Sequence, residues 1–156
     1  MALASLAAMR SLLALAPLAL LAPACTTALT PPPDPPQQHL PRPGAPTFTL
    51  YVSNQSFDLP LVDLAIELDR RLAVTGDFPV EGQHTWIPFD FDLAPGAHQL
   101  RVGSRAGGAM LDQTFDFDMD ARRWGVLSFW YYASGSPEPT PQQLSFQVLD
   151  EPPAFE

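Results

Sequence analysis

The stretch Val62-Asp63-Leu64-Ala65-Ile66-Glu67-Leu68-Asp69 (62–69) places its large apolar side chains two residues apart, with Asp63, Ala65, Glu67 and Asp69 between them. Side chains on a β-strand alternate between two faces, so this octet predicts a strand with Val62, Leu64, Ile66 and Leu68 turned to a core. The same period extends in both directions. Upstream, Phe48, Leu50 and Val52 oppose Thr47, Thr49, Tyr51 and Ser53. Downstream come Ile87, Phe89, Phe91 and Leu93, then His98, Leu100 and Val102, then Leu111, Phe115, Phe117 and Met119, and finally Leu144, Phe146 and Val148. Turn formers at Asp69-Arg70-Arg71, Ala94-Pro95-Gly96 and Ala106-Gly107-Gly108 break the runs, and no window carries a helical stripe. Short half-buried strands separated by turns predict an all-β fold, an antiparallel sandwich of about 7–8 strands spanning 47–156.

With 156 residues, 46% of them hydrophobic and 16% charged, the chain suits one folded domain with a real core. The net charge is −9 and every basic residue is arginine, none in a cluster larger than Arg70-Arg71 or Arg122-Arg123. Phosphate backbones would repel such a chain, which excludes nucleic acid as a partner.

The first residues read MALASLAAMRSLLALAPLALLAPAC. Arg10, the apolar run Ser11 to Leu21 and the small residues before Cys25 form the three parts of a secretory signal, and the run is too short to cross a bilayer. From Met9 onward the segment is a compact signal by itself. Cys25 is the only cysteine, so no internal disulfide employs it. Its position after Ala22-Pro23-Ala24 resembles the lipobox of bacterial lipoproteins, although that motif usually has leucine where Ala22 stands. The resemblance implies removal of 1–24 and acylation of Cys25, with acyl chains adding about 0.8 kcal/mol per buried methylene to membrane attachment. Thr26 in the next place implies the outer membrane in a Gram-negative cell. The rival reading is an ordinary A-x-A cleavage site that Cys25 merely follows. The proline-rich residues 25–46 then predict a stiff stalk of roughly 50–65 Å, with His39 solvated.

The phrases Phe-Asp-Phe-Asp-Leu (89–93) and Phe-Asp-Phe-Asp-Met-Asp (115–120) invite a metal reading. On a strand, residues i and i+2 are about 6.6–7 Å apart, too far for neighbouring carboxylates to share one ion unaided. As a calcium loop, Asp116-x-Asp118-x-Asp120 would need glycine next and a later glutamate, where Ala121 and Leu127 stand. The expectation is an acidic solvent face that discourages edge pairing, with the two phrases on strands not paired in register, and no metal or cofactor. Two domain histidines, His84 and His98, with no cysteine make a poor zinc set. No Gly-x-Ser-x-Gly elbow occurs, and the expectation is a non-catalytic protein.

The segment Leu93-Ala94-Pro95-Gly96-Ala97-His98-Gln99-Leu100-Arg101-Val102 resembles the corner between sheets in immunoglobulin-like sandwiches. Pro95-Gly96 suits a type II turn, and His98 stands where such domains place an inward tyrosine bonded to nearby backbone. The resemblance implies an immunoglobulin-like topology and carries no function. In Arg123-Trp124-Gly125-Val126-Leu127-Ser128-Phe129-Trp130-Tyr131-Tyr132 both faces are apolar or aromatic. Either the loop 133–142 covers the outer face, or the strand presents an aromatic strip to a partner. Trp86, Trp130, Tyr131 and Tyr132 are the candidate binding residues, because Trp and Tyr combine area with a polar handle. The functional expectation is a lipid-anchored binding or assembly module of the cell envelope, with a protein or carbohydrate partner. A carboxylate-dependent hydrolase and a structural spacer are the alternatives.

Overall fold

In the computed structural model the described residues are 32–80, 85–117 and 122–154. The leader, Cys25, His84, Asp118, Met119 and Asp120 lie outside them. Nine strands and no helix occur among the described residues: β1 (Gln37–Gln38), β2 (Phe48–Asn54), β3 (Leu61–Leu68), β4 (Arg71–Pro79), β5 (Ile87–Phe91), β6 (Gly96–Ser104), β7 (Ala109–Phe117), β8 (Arg123–Tyr132) and β9 (Thr140–Leu149). They form two sheets, one ordered β1-β4-β3-β6-β7 and the other β5-β2-β8-β9. The two Phe-Asp-Phe-Asp strands, β5 and β7, therefore belong to different sheets, which avoids the cost of like charges directly opposite one another.

The alternation read from the sequence maps onto the packing. Phe48, Leu50 and Val52 of β2 meet Val62, Leu64, Ile66 and Leu68 of β3 in a core completed by Phe78, Phe89, Phe91, Leu100, Val102, Phe115, Leu127 and Phe129. Phe115 ties the layers together, stacking on Phe48 at 5.4 Å and meeting the edge of Phe146 at 5.4 Å. Fully burying each such side chain contributes about 1.5–3 kcal/mol. Gly125 faces inward on β8, where an added Cβ would lie 2.6 Å from the Phe48 ring and 2.9 Å from Phe146.

An entirely antiparallel sandwich does not form. β2 and β8 run parallel, in register from Phe48 opposite Arg123 to Asn54 opposite Phe129. Antiparallel pairing is enforced where a short hairpin joins two strands, and β2 and β8 are instead joined through five other strands. The tight hairpin between β3 and β4 turns on Asp69 and Arg70, at φ 51° and 62°, as the turn signal there suggested.

The proline-rich stretch, expected as a stalk up to residue 46, is docked along part of its length. Gln37 and Gln38 pair with Thr75 and Val74 on the edge of β4, and Leu40 packs against the core. The prolines around this short run leave the Gln37–His39 backbone free to pair, and a sheet edge offers the matching groups. The ring of His39 is exposed, with Nε2 2.6 Å from the Thr75 hydroxyl.

An aromatic groove on the four-stranded sheet

Register assigns the faces of β8. Gly125, Leu127 and Phe129 share the inner side with Leu50, Val52 and Phe146, while Trp124, Val126, Ser128 and Trp130 point outward. The strand therefore alternates normally. Its composition looks two-sided because the outer face forms the floor of a groove of about 500 Å³. Trp86, Val126, Ser128, Trp130, Ser145 and Gln147 line it, and Pro153 and Ala154 close one side. The loop 133–142, expected as a cover, contributes no lining residue. Trp130 is held in place by its indole N–H, which donates to the Ser145 hydroxyl at 2.9 Å.

Of the four sequence candidates, Trp86 and Trp130 meet in this groove. Tyr131 does not join them: it continues the inner set Gly125, Leu127 and Phe129 and packs against the core. Tyr132 extends the aromatic strip instead, edge-on to Trp130 at 6.3 Å and against Phe57 at 4.9 Å. Phe57 was not foreseen. It is 62% exposed, and a lone aromatic between Ser56 and Asp58 in a polar loop was the available signal. The loop is built to hold it. The Phe57 N–H donates to the Tyr131 carbonyl at 3.2 Å, and the Ser56 hydroxyl accepts from Leu59 N–H at 2.8 Å.

At the other end of this face, Arg122 spans Thr49, Asp90 and Trp124. Its guanidinium donates to the Thr49 hydroxyl, lies 3.2 Å from Asp90 and sits 5.8 Å from the Trp124 ring centre. Asp90, read as part of an acidic solvent face, is thus neutralised locally, and among the described residues the lining of the groove carries no ionised side chain.

Cavities elsewhere on the domain also hold titratable groups, and two of them bear on function. One of about 730 Å³ lies on the five-stranded sheet beside Asp34, Asp63 and Asp77. Two of its carboxylates hold local structure: Asp63 accepts from the Ser104 hydroxyl at 3.0 Å and from Ala106 N–H at 2.7 Å, and Asp77 accepts from Asp34 N–H at 2.9 Å. Burial pushes the Asp63 pKa up, but hydrogen bonds from Ala106, Ser104 and Arg105 outweigh it and hold the value below 3.8. Among the described residues no three His, Cys, Asp or Glu side chains are grouped to hold a metal.

The second, about 320 Å³, is bordered by Asp69 and His98. His98 Nδ1 lies 2.7 Å from Asp69 Oδ2, and Nε2 lies 2.7 Å from the Ala94 carbonyl. Both partners are acceptors, so only the doubly protonated ring satisfies both. Burial lowers the His98 pKa, yet the bonds to Asp69 and Ala94 and the Asp69 charge raise it above 6.5 overall. The reach back to a carbonyl four residues upstream is the local bond expected of an inward corner residue. With both nitrogens committed, His98 staples the corner.

Comparison with protein-family models, with curated protein sequences and with solved structures returns no match.

Proposed function

We propose that the chain is a non-catalytic binding module of the cell envelope, anchored through Cys25, whose binding surface is the groove and aromatic strip formed by Trp86, Trp130, Tyr132 and Phe57. The single observation that carries this reading is a concave, tryptophan-lined groove, without an ionised side chain among its described lining residues, on an acidic domain. Binding sites are concave and mostly apolar, with a few fixed polar groups that orient the ligand. Here Trp86 and Trp130 supply flat apolar faces, while Ser128, Ser145 and Gln147 supply hydroxyl and amide groups. That combination suits a neutral oligosaccharide, whose ring faces are apolar and whose rims carry hydroxyls. A second reading has its own support: Pro153 and Ala154 already lie against the groove, as an extended neutral peptide would. The corner at 93–102 resembles that of immunoglobulin-like sandwiches, a scaffold compatible with either ligand.

The test is a titration of tryptophan emission with chitotetraose, maltotetraose and a neutral Pro-Ala peptide, on the wild-type chain and on Trp130→Ala. A saturable shift with one probe, reduced at least about tenfold in affinity by the substitution, supports the site. A flat response to all three, or a shift that survives Trp130→Ala unchanged, removes it.

A further inference from the structure

The residues Asp34–Leu40 lie on the domain as a short peptide would, joined to it through 41–46. Main-chain bonds run along the whole contact. His39 N–H donates to the Ala73 carbonyl at 2.8 Å and Asp77 N–H donates to the Asp34 carbonyl at 2.7 Å, on either side of the pairs Gln37–Thr75 and Gln38–Val74. Side chains add selectivity. Gln38 Nε2 donates to the Asp90 carbonyl of β5 at 2.8 Å and to the Leu40 carbonyl at 3.0 Å, so the segment bridges the two sheets.

The receiving surface is shaped for this occupant. Gly76 sits at φ +147°, and a Cβ there would come within 2.5 Å of Pro36 Cα and 2.9 Å of the Pro35 carbonyl oxygen. Only glycine lets the Pro35-Pro36 backbone approach β4 so closely. Main-chain pairing for attraction, with side-chain contacts for choice, is the chemistry of β-strand addition.

We propose that the edge of β4, with Gly76 and the Asp90 carbonyl, is a binding site for an extended Pro-Pro-Gln-Gln-His-Leu segment, and that residues 34–40 are its tethered, exchangeable ligand. A short tether gives an effective concentration on the order of millimolar, so a site with micromolar affinity is filled by its own chain. The same segment from a second copy, supplied in excess, replaces it. This site shares no described lining residue with the tryptophan groove and stands independently of the function proposed for that groove.

The test cuts the tether after folding. A protease site is placed at Gly44, which is exposed and where an added Cβ meets nothing within 4 Å. The full chain is cleaved and mixed with a fluorescent peptide of residues 32–41. The expected result is that the N-terminal fragment stays bound at micromolar protein and is replaced saturably by the peptide. A peptide carrying Gln38→Ala should bind at least about tenfold more weakly. The proposal is overturned if the fragment leaves and the peptide does not bind, if no excess of peptide replaces it, or if Gln38→Ala binds equally well. Loss of the native tryptophan emission on displacing the fragment would also overturn it, because the segment would then be part of the core.

Discussion

At the scale of single residues, Gly125 and His98 make the sharpest demands. Gly125→Ala pushes a methyl group toward the rings of Phe48 and Phe146, and overpacking of this kind costs about 1–3 kcal/mol. Urea unfolding should show a lower midpoint with an unchanged slope. For His98 the sign follows from the direction of its shift. A folded pKa above 6.5 means its contribution is fully present below the unfolded value and is lost as pH rises through the folded one. Asp69, held below 3.8, loses its contribution as pH falls through its own lowered value. Stability of the wild type should therefore drop, relative to His98→Gln, as pH rises above 6.5 and through the raised folded-state pKa of His98. An NMR titration that puts the His98 pKa at or below 6.5 would contradict this. The sequence showed that His98 turns inward beside a Pro-Gly turn. It could not show Asp69 as partner, because twenty-nine positions separate the two and only the pairing of β3 with β6 unites them.

At the scale of elements, parity identified β2, β3, β5, β6 and β7, because a period of two survives wherever apolar residues on one face alternate with polar ones on the other. It was obscured at β8, where the outer face forms a groove floor and the inner face carries a glycine, so that Tyr131, which alternation turns inward with Leu127 and Phe129, was grouped with its outward neighbours. The parallel partnership of β2 with β8 was not legible, since alternation is blind to strand direction. Hydrogen exchange should find the Leu50, Val52 and Leu127 amides, in the middle of that sheet, among the slowest, and those of β1 and β5 faster. Uniform protection across the sheet would contradict the edge and centre assignment. The docked segment was hidden by its own composition, because prolines signal extended chain without saying what lies alongside. Gly76→Ala should expose the His39 amide, raising its exchange rate at least about tenfold, while the core amides of β3 change little.

At the scale of the whole molecule, the envelope assignment rests on the leader and on Cys25, and the binding assignment rests on the domain. Each is tested separately. Replacing Cys25 with serine should move the protein from the membrane fraction to the soluble one and remove the acyl mass. Continued membrane association at unchanged mass would contradict lipidation. The sequence supplied two of the groove's residues, Trp86 and Trp130, by type alone. It missed Phe57, which reaches the strip through a loop, and the closing contribution of Pro153 and Ala154, which depends on where the chain runs after β9. The most direct measurement of the groove's role is NMR of the three tryptophan indole N–H signals during titration with the oligosaccharide and peptide probes. Saturable shifts should centre on Trp86 and Trp130, with Trp124, beneath Arg122, moving less. Shifts absent from both, or confined to amides of the five-stranded sheet, would show that the groove is not the binding surface.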